Sequence, residues 1–215
     1  CGLSFAAVDG AGKPVALVNE FWRRAIADSS MDLTIMTGLT LSKPRGKSEL
    51  ERRLVGPMAA RIFGDGPDPA WLEPLHASAL PANVHVHEFF LEPGAWLGSP
   101  LAQQSYASIN YTHVARTVAA AGANVVVQQI AWRPGADSGR ASLGTNPDVT
   151  TDLLPLLDER SRAGKPFAYI GQVNDRMPFM FGRAEVPASR FDFIVDDSHD
   201  YHELFCPPNL PITTV

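Results

Sequence analysis

The chain has 215 residues, 45% of them hydrophobic, which is enough for one sizeable core or two small ones. Its formal net charge of -5 and its pI near 5.6 give no basic surface for a nucleic acid, and no apolar run reaches the roughly 20 residues of a membrane-spanning helix. Its two cysteines, Cys1 and Cys206, lie at opposite ends of the sequence, which argues against a disulfide framework or a zinc site and favours a reduced, cytoplasmic setting.

Short β-branched runs alternate with helix-length amphipathic stretches, a pattern typical of βαβ units. It predicts an α/β fold with a mainly parallel sheet. Strands are expected at 33–36, 84–90, 124–131, 167–173 and 191–195. Helices are expected at 14–28, from Ser48 to a stop at 64–67, and at 69–80, 109–121 and 149–163.

The helix that begins at Ser48 has apolar residues every four positions, at Leu50, Leu54, Met58 and Ile62. Residues with this spacing form one stripe along a helix. We expect this stripe to be buried.

A glycine-rich turn precedes the first helix and contains Gly10, Gly12, Lys13 and Pro14. Glycines allow close backbone approach, and the free N–H groups at a helix amino terminus favour anions such as phosphate or a developing oxyanion. The turn is not a phosphate-binding P-loop, because Ala7 and Pro14 occupy the positions where that motif needs glycine and serine or threonine. The alternative is a plain tight turn with a solvated lysine.

Small residues follow the strand that ends near Trp132, among them Gly139, Ser142 and Gly144. This places them at the carboxyl end of the sheet, where α/β proteins bind ligands. The alternative is that the two glycines only permit turns with positive φ.

Asn174 follows the predicted strand 167–173 and therefore reaches the same edge, and Pro178 fixes the loop after it. The Asn174 amide could orient a carboxylate there. The alternative is a turn residue that hydrogen-bonds to its own backbone.

The histidines give weaker signals. His113 could act as a base or donor, because its unperturbed pKa lies near neutrality, but a core or surface histidine explains it as well. His85 and His87 share one strand face without a third ligand, and we interpret them as a solvated face. His199 and His202 lie among acids and could hold an adventitious metal, although a polar loop is the simpler interpretation. We expect no metal site.

Six segments resemble, in this order, the amino-terminal half of the acetyl-CoA hydrolase and class I CoA-transferase family. They are residues 10–14, 33–40, 103–106, 110–113, 137–144 and 170–178. The resemblance spans nearly all of the chain. It implies an open sheet with helices on both faces, of the CoA-transferase and NagB/RpiA-like type, in the amino-terminal half of a two-domain enzyme.

The same resemblance implies an acyl-CoA and a small carboxylate as substrates, with the coenzyme A thioester as a substrate and no further cofactor. It also implies which residues line the site. These are Gly10, Gly12, Lys13, Pro14, Asn110, Gly139, Ser142, Gly144, Asn174 and Pro178.

In the family that this chain resembles, a glutamate attacks the thioester and forms an acyl-glutamyl anhydride, then a glutamyl-CoA thioester. A carboxylate acceptor then gives transfer, and water gives hydrolysis. That glutamate belongs to the second half, and Glu88, Glu92, Glu185 and Glu203 do not match its motif. The resemblance therefore implies no catalytic residue in this chain, and we expect these 215 residues alone to be inactive.

We expect residues 1–205 to form this amino-terminal α/β domain. Residues 206–215 contain three prolines, which is the composition of a stiff linker, here to a second domain. The sequence begins without methionine or a signal peptide, so we expect upstream residues to have been lost. The expected partners are that second domain and further copies of the chain, because the apolar surface meant for the domain would promote self-association. Nucleic acid and membrane are not expected partners.

Two other function classes stay open. A non-catalytic domain could keep the fold and an anion- or CoA-binding loop without the chemistry. A sugar-phosphate isomerase-like enzyme would share the sheet architecture, but it needs an acid/base pair, and the sequence offers no convincing one. The acyl group and the choice between hydrolase and transferase stay undetermined at this point.

Overall fold

The computed structural model describes residues 2–7 as backbone, and residues 13–64, 66–132, 139–145 and 147–196. Its helices are α1 (Val15–Ala27), α2 (Glu49–Phe63), α3 (Leu72–His76), α4 (Pro100–Ser105), α5 (Val114–Ala120) and α6 (Asp148–Arg162). Its strands are β1 (Gly2–Ala7), β2 (Asp32–Thr37), β3 (Val84–Glu88), β4 (Val125–Trp132), β5 (Arg140–Ser142), β6 (Ala168–Val173), β7 (Glu185–Pro187) and β8 (Phe193–Val195). The predictions for Gly10, Gly12, His199, His202 and the linker 206–215 lie outside the described residues.

Six strands pair in parallel in the order β3-β2-β1-β4-β6-β8. The chain runs outward from β1 to β2 and β3, and then returns to place β4 on the other side of β1. The strand order therefore reverses between β1 and β4, which makes this the topological switch point. In open α/β sheets, ligands bind outside the carboxyl ends of the strands at such a point.

The rest of the sheet is antiparallel, which the sequence did not predict. β5 pairs with the end of β4, and β7 pairs with β5. The expectation of a mainly parallel sheet thus holds for the six-stranded part, whereas the sheet as a whole is mixed. All five predicted strands are confirmed within three residues at each end.

The sheet is covered on both faces, because successive side chains of its central strand enter different hydrophobic clusters. Val125 and Val127 of β4 pack in a cluster with residues of α1 and α3. Val126 and Ile130 pack in a second cluster with residues of α5 and α6. Alternation along a strand sends neighbouring residues to opposite faces, so helices lie on both sides of the sheet, as expected.

The predicted burial of α2 is wrong. Leu50, Leu54 and Met58 are 76%, 68% and 54% exposed, and no residue of this helix is buried. Ile62, the last residue of the predicted stripe, is half-buried, and the other half-buried residues of the helix are Val55, Ala59 and Phe63. A four-residue spacing predicts a helical stripe, but it does not determine which side of the helix contacts the rest of the molecule. The end of the helix at Gly64, with φ 54°, is confirmed.

Two predicted helices are shorter than expected. Within 69–80 only α3 is helical, and Ser78 adopts a φ of 53° beyond its end, which breaks the helix. Within 109–121 a 3₁₀ turn, Tyr111–His113, precedes α5. The chain then leaves α5 at Gly122, with φ 92°, as expected.

Candidate functional site

Lys13 lies between β1 and α1, at the switch point of the sheet. It is only 4% exposed, so the alternative of a solvated lysine does not apply. Its Nζ donates a hydrogen bond to the backbone carbonyl of Gly38, and the carbonyl oxygen of Leu39 lies 3.5 Å away. The ammonium group therefore connects the start of α1 with the segment that follows β2.

Two buried amides continue this network across the sheet. Gln129 of β4 donates from Nε2 to the carbonyl oxygen of Lys13 at 3.0 Å. Asn174, directly after β6, donates from Nδ2 to Gln129 Oε1 at 3.0 Å, and its Oδ1 accepts from the Arg176 N–H at 2.9 Å. The carbonyl oxygen of Lys13 can only accept a hydrogen bond, and the Arg176 N–H can only donate one. These two ends of the amide relay therefore fix how both amides are oriented, with Gln129 Nε2 towards Lys13 and Asn174 Nδ2 towards Gln129.

Glu88 is the last residue of β3, at the other end of this carboxyl edge of the sheet. β3 directs Val84, Val86 and Glu88 inward, and the Glu88 side chain is fully buried. Thr40 approaches its carboxyl group through both its side chain and its backbone. Burial raises the pKa of Glu88. Contacts from Thr40 and the charge of Lys13 oppose this rise without cancelling it, and the charge of Glu92 adds to it.

Two threonine hydroxyls lie at the same place. Thr37 is paired with Glu88 in the register of β2 and β3, so the two side chains share one face of the sheet. The hydroxyl oxygens of Thr37 and Thr40 are also buried, and the Thr40 side chain approaches the Glu88 carboxyl. Polar side chains are seldom fully buried, so this concentration of buried oxygens marks the carboxyl ends of β2 and β3 as unusual.

The segment between these threonines is tightly constrained. A Cβ at Gly38 would overlap the ring of Phe89, so only glycine fits there. Leu39 adopts a φ of 49°, a left-handed conformation that is costly for a leucine. Backbone hydrogen bonds from Leu39 N to Phe90 O and from Phe89 N to Thr37 O, at 2.6 and 3.0 Å, fix this conformation.

Ser142 and Gly144 belong to a second, neighbouring arrangement. The Ser142 hydroxyl oxygen accepts from the Gly144 and Met180 N–H groups at 3.2 and 2.9 Å, and it lies 2.8 Å from the Met180 carbonyl oxygen, to which it donates. Gly144 has a φ of 73°, and a Cβ there would overlap Met177. These contacts join β5 to the loop after β6, which also contains Pro178.

The other predicted site residues have simpler surroundings. Pro14 is buried and precedes the first residue of α1. Gly139 has a φ of 130° at the start of β5, with open space around it, and Pro178 is exposed. Asn110 is exposed, and its Oδ1 accepts from the N–H and hydroxyl of Thr112, a capping contact at the 3₁₀ turn.

The structure thus brings Lys13 and Asn174 into one network through Gln129, a residue that the sequence analysis missed. It also missed Thr37, Thr40 and Glu88. Gln129 interrupts the apolar sequence of β4, and Glu88 follows two inward valines with the two-residue period of a strand. A polar residue at a position that the period assigns to the core was the available signal.

Metal and membrane features can be assessed for the described part of the chain only. There, no group of three or more His, Cys, Asp or Glu side chains comes together as metal ligands do. His85 and His87 point outward from β3, which confirms their interpretation as a solvated face. No helix in this part combines the length and the apolar character that a membrane span requires.

Comparison with solved structures finds the same fold in RipA from Yersinia pestis. The TM-score is 0.60 at 18% sequence identity, over 97% of this chain and 42% of RipA. A 4-hydroxybutyrate CoA-transferase from Porphyromonas gingivalis matches with a TM-score of 0.47 and 16% identity, over 89% of this chain and 34% of that protein. The inference from these matches is the fold alone, and it rests on RipA.

This chain spans less than half the length of either protein. No protein-family model and no curated protein sequence matches it.

Proposed function

We propose that this chain is the amino-terminal domain of an acetyl-CoA hydrolase or acyl-CoA:carboxylate CoA-transferase, and that the carboxyl edge of its sheet forms part of the acyl-CoA site. One observation carries the proposal. Lys13 and Asn174 come from two distant segments that resemble the family, and Gln129 joins them in one buried network at the switch point. A ligand site is expected at that position of an α/β sheet.

The start of α1 gives this edge a preference for anions. Among the described residues no side chain caps α1, and its first turn contains no acidic residue. Its amino-terminal N–H groups therefore favour a phosphate of coenzyme A or the oxyanion that develops at the thioester carbonyl. The amide relay contributes by holding the backbone at Lys13, where this helix begins.

The nucleophile is assigned to a glutamate outside this chain. Its carboxylate adds to the thioester carbonyl and expels the CoA thiolate, which then attacks the glutamyl carbonyl of the anhydride and releases the acyl group as a carboxylate. Water or a second carboxylate consumes the resulting glutamyl-CoA thioester. This domain supplies half of the cleft and no catalytic carboxylate.

Covalent trapping in the full-length protein tests the proposal. The protein is incubated with acetyl-CoA, with and without a second carboxylate, and is then treated with borohydride or hydroxylamine before peptide mass spectrometry. A modified glutamate outside residues 1–215, together with transfer of CoA to the added carboxylate, is the expected result. Turnover of acetyl-CoA by these 215 residues alone would contradict the assignment of the nucleophile.

The second candidate is a non-catalytic domain that binds CoA or another anion. The observation that favours it is the start of α1, where Pro14 makes no side-chain capping contact, because this helix end can hold an anion without any catalytic carboxylate. Tight CoA binding by the full-length protein without any covalent adduct would support this candidate over the enzyme.

A further inference from the structure

Glu88 occupies a position where packing alone calls for an apolar residue. The two preceding inward residues of β3, Val84 and Val86, belong to the hydrophobic cluster beneath α1. A buried carboxyl group loses its hydration on folding, and a valine or leucine would avoid that cost. A role that requires the carboxyl group would explain its presence.

The charges around Glu88 indicate what that role is. The charged groups that influence its carboxyl are Lys13, whose attraction lowers the pKa, and Glu92, whose repulsion raises it. Lys13 and Glu88 lie on opposite sides of the end of β2, because β2 is between β1 and β3 in the sheet. The attraction between them therefore acts across the segment that follows β2.

That segment is the element to which Lys13 is bound. Lys13 Nζ contacts the carbonyl oxygens of Gly38 and Leu39, and the next residue, Thr40, approaches the Glu88 carboxyl. The positive φ of Leu39 is a conformation that only its surroundings maintain. A group that attracts Lys13 towards the segment and contacts Thr40 would stabilise this conformation.

We infer that Glu88 is a positioning residue of the switch-point site, which acts through Lys13 and residues 37–40 by means of its carboxyl group rather than its bulk. It touches no substrate. The inference rests on the proposed function for the identity of the ligand, coenzyme A, but the position of Lys13 can be measured without any ligand.

The first measurement is acetylation of Lys13 by acetic anhydride in the full-length protein, quantified by mass spectrometry and normalised to the exposed Lys165. The variants are Glu88→Gln and Glu88→Met, which keep the bulk, and Glu73→Gln as the matched control, because Glu73 is exposed and is not among the groups that act on Glu88. Since a buried amine reacts through local opening, both Glu88 variants should label Lys13 at least about threefold faster at a pH above the raised pKa of Glu88. The control should label it at the wild-type rate. Circular dichroism verifies that each variant is folded.

The pH dependence separates positioning from a merely structural role. Below its ordinary pKa Glu88 is neutral, so wild type and Glu88→Gln should label alike. Their ratio should diverge as the pH rises through the raised pKa of Glu88. Isothermal titration with coenzyme A should show weaker binding by Glu88→Gln at the higher pH only.

Equal Lys13 labelling in wild type and Glu88→Gln at every pH would overturn the inference. So would an increase in Glu73→Gln as large as in the Glu88 variants. If wild type binds no coenzyme A, the proposed function fails, and the labelling series still decides the role of Glu88.

Discussion

The amide relay makes a quantitative prediction for Asn174→Ala. The substitution removes the hydrogen bond that Asn174 Oδ1 accepts from the Arg176 N–H, which contributes about 1 kcal/mol to stability. It also leaves Gln129 Oε1 buried without its donor, which costs about 1–3 kcal/mol. We therefore expect the free energy of unfolding to fall by about 2–4 kcal/mol, within the range known for broken buried networks.

Urea titration followed by both tryptophan fluorescence and far-ultraviolet circular dichroism measures this loss. Trp22, Trp71 and Trp96 are buried, so fluorescence reports on the core. With a slope of about 2 kcal/mol per molar urea, the midpoint should fall by about 1–2 M. The neighbouring Asp175 is exposed, and Asp175→Ala, as the control, should change stability by less than about 0.5 kcal/mol.

Asn174→Asp tests the direction of the relay. A carboxylate cannot donate to Gln129 Oε1, whereas the protonated acid can, so folding favours the protonated form and raises the pKa of the new aspartate. Its stabilising contribution is present below the unfolded pKa and is lost as the pH rises through the folded pKa. The loss relative to wild type should therefore be larger at pH 7 than at pH 4. An Asn174→Ala midpoint equal to that of Asp175→Ala would refute the relay.

Three further substitutions follow from the geometry. Because burial raises the pKa of Glu88, wild type loses stability as the pH rises from 4.5 through that raised pKa, and Glu88→Gln does not. The variant should therefore gain stability relative to wild type over this range. A constant difference between their free energies of unfolding in urea titrations would contradict the assigned pKa direction. In Gly38→Ala the new methyl group overlaps the Phe89 ring, so the free energy of unfolding in a urea titration should fall by about 1–3 kcal/mol. Gly56 faces open space on α2, so Gly56→Ala should raise it by about 0.5–1 kcal/mol. A change of the same sign in both variants would be inconsistent with the packing. Ser48→Ala should cost about 1 kcal/mol, because Ser48 and Glu51 form a reciprocal capping box, and an unchanged thermal midpoint would count against that cap.

Five strands could be predicted because each is a short local segment rich in apolar residues, whereas β1, with the sequence GLSFAA and no β-branched residue, was not predicted. β4 is the clearest case, since Val125, Val126 and Val127 are buried regardless of what lies beside them. β5 and β7 could not be predicted in this way, because each has three residues and depends on pairing between distant segments. The side of α2 that faces the rest of the molecule also depends on tertiary contacts, and the four-residue spacing of apolar residues carries no information about them.

The residues of the candidate site also fall into those that the sequence indicated and those that it did not. Lys13 and Asn174 could be proposed because each follows a recognisable strand or turn, and the carboxyl ends of parallel strands share one edge. Gln129 and Glu88 had only the signal of a polar residue at a core position, because their importance depends on which strands are neighbours. Only the strand order places Glu88, Thr37, Lys13, Gln129 and Asn174 along a single edge.

The lack of buried residues in α2 has a consequence for the dynamics of the protein. A helix that packs with so little of its surface derives its order from its caps and its own hydrogen bonds, and such segments open independently of the core. In native-state hydrogen exchange, the amides of α2 should exchange long before those of β4 and β6, which lie at the centre of the sheet. The amides that exchange most slowly would then lie in β4, which contains Gln129, and in β6, which ends directly before Asn174.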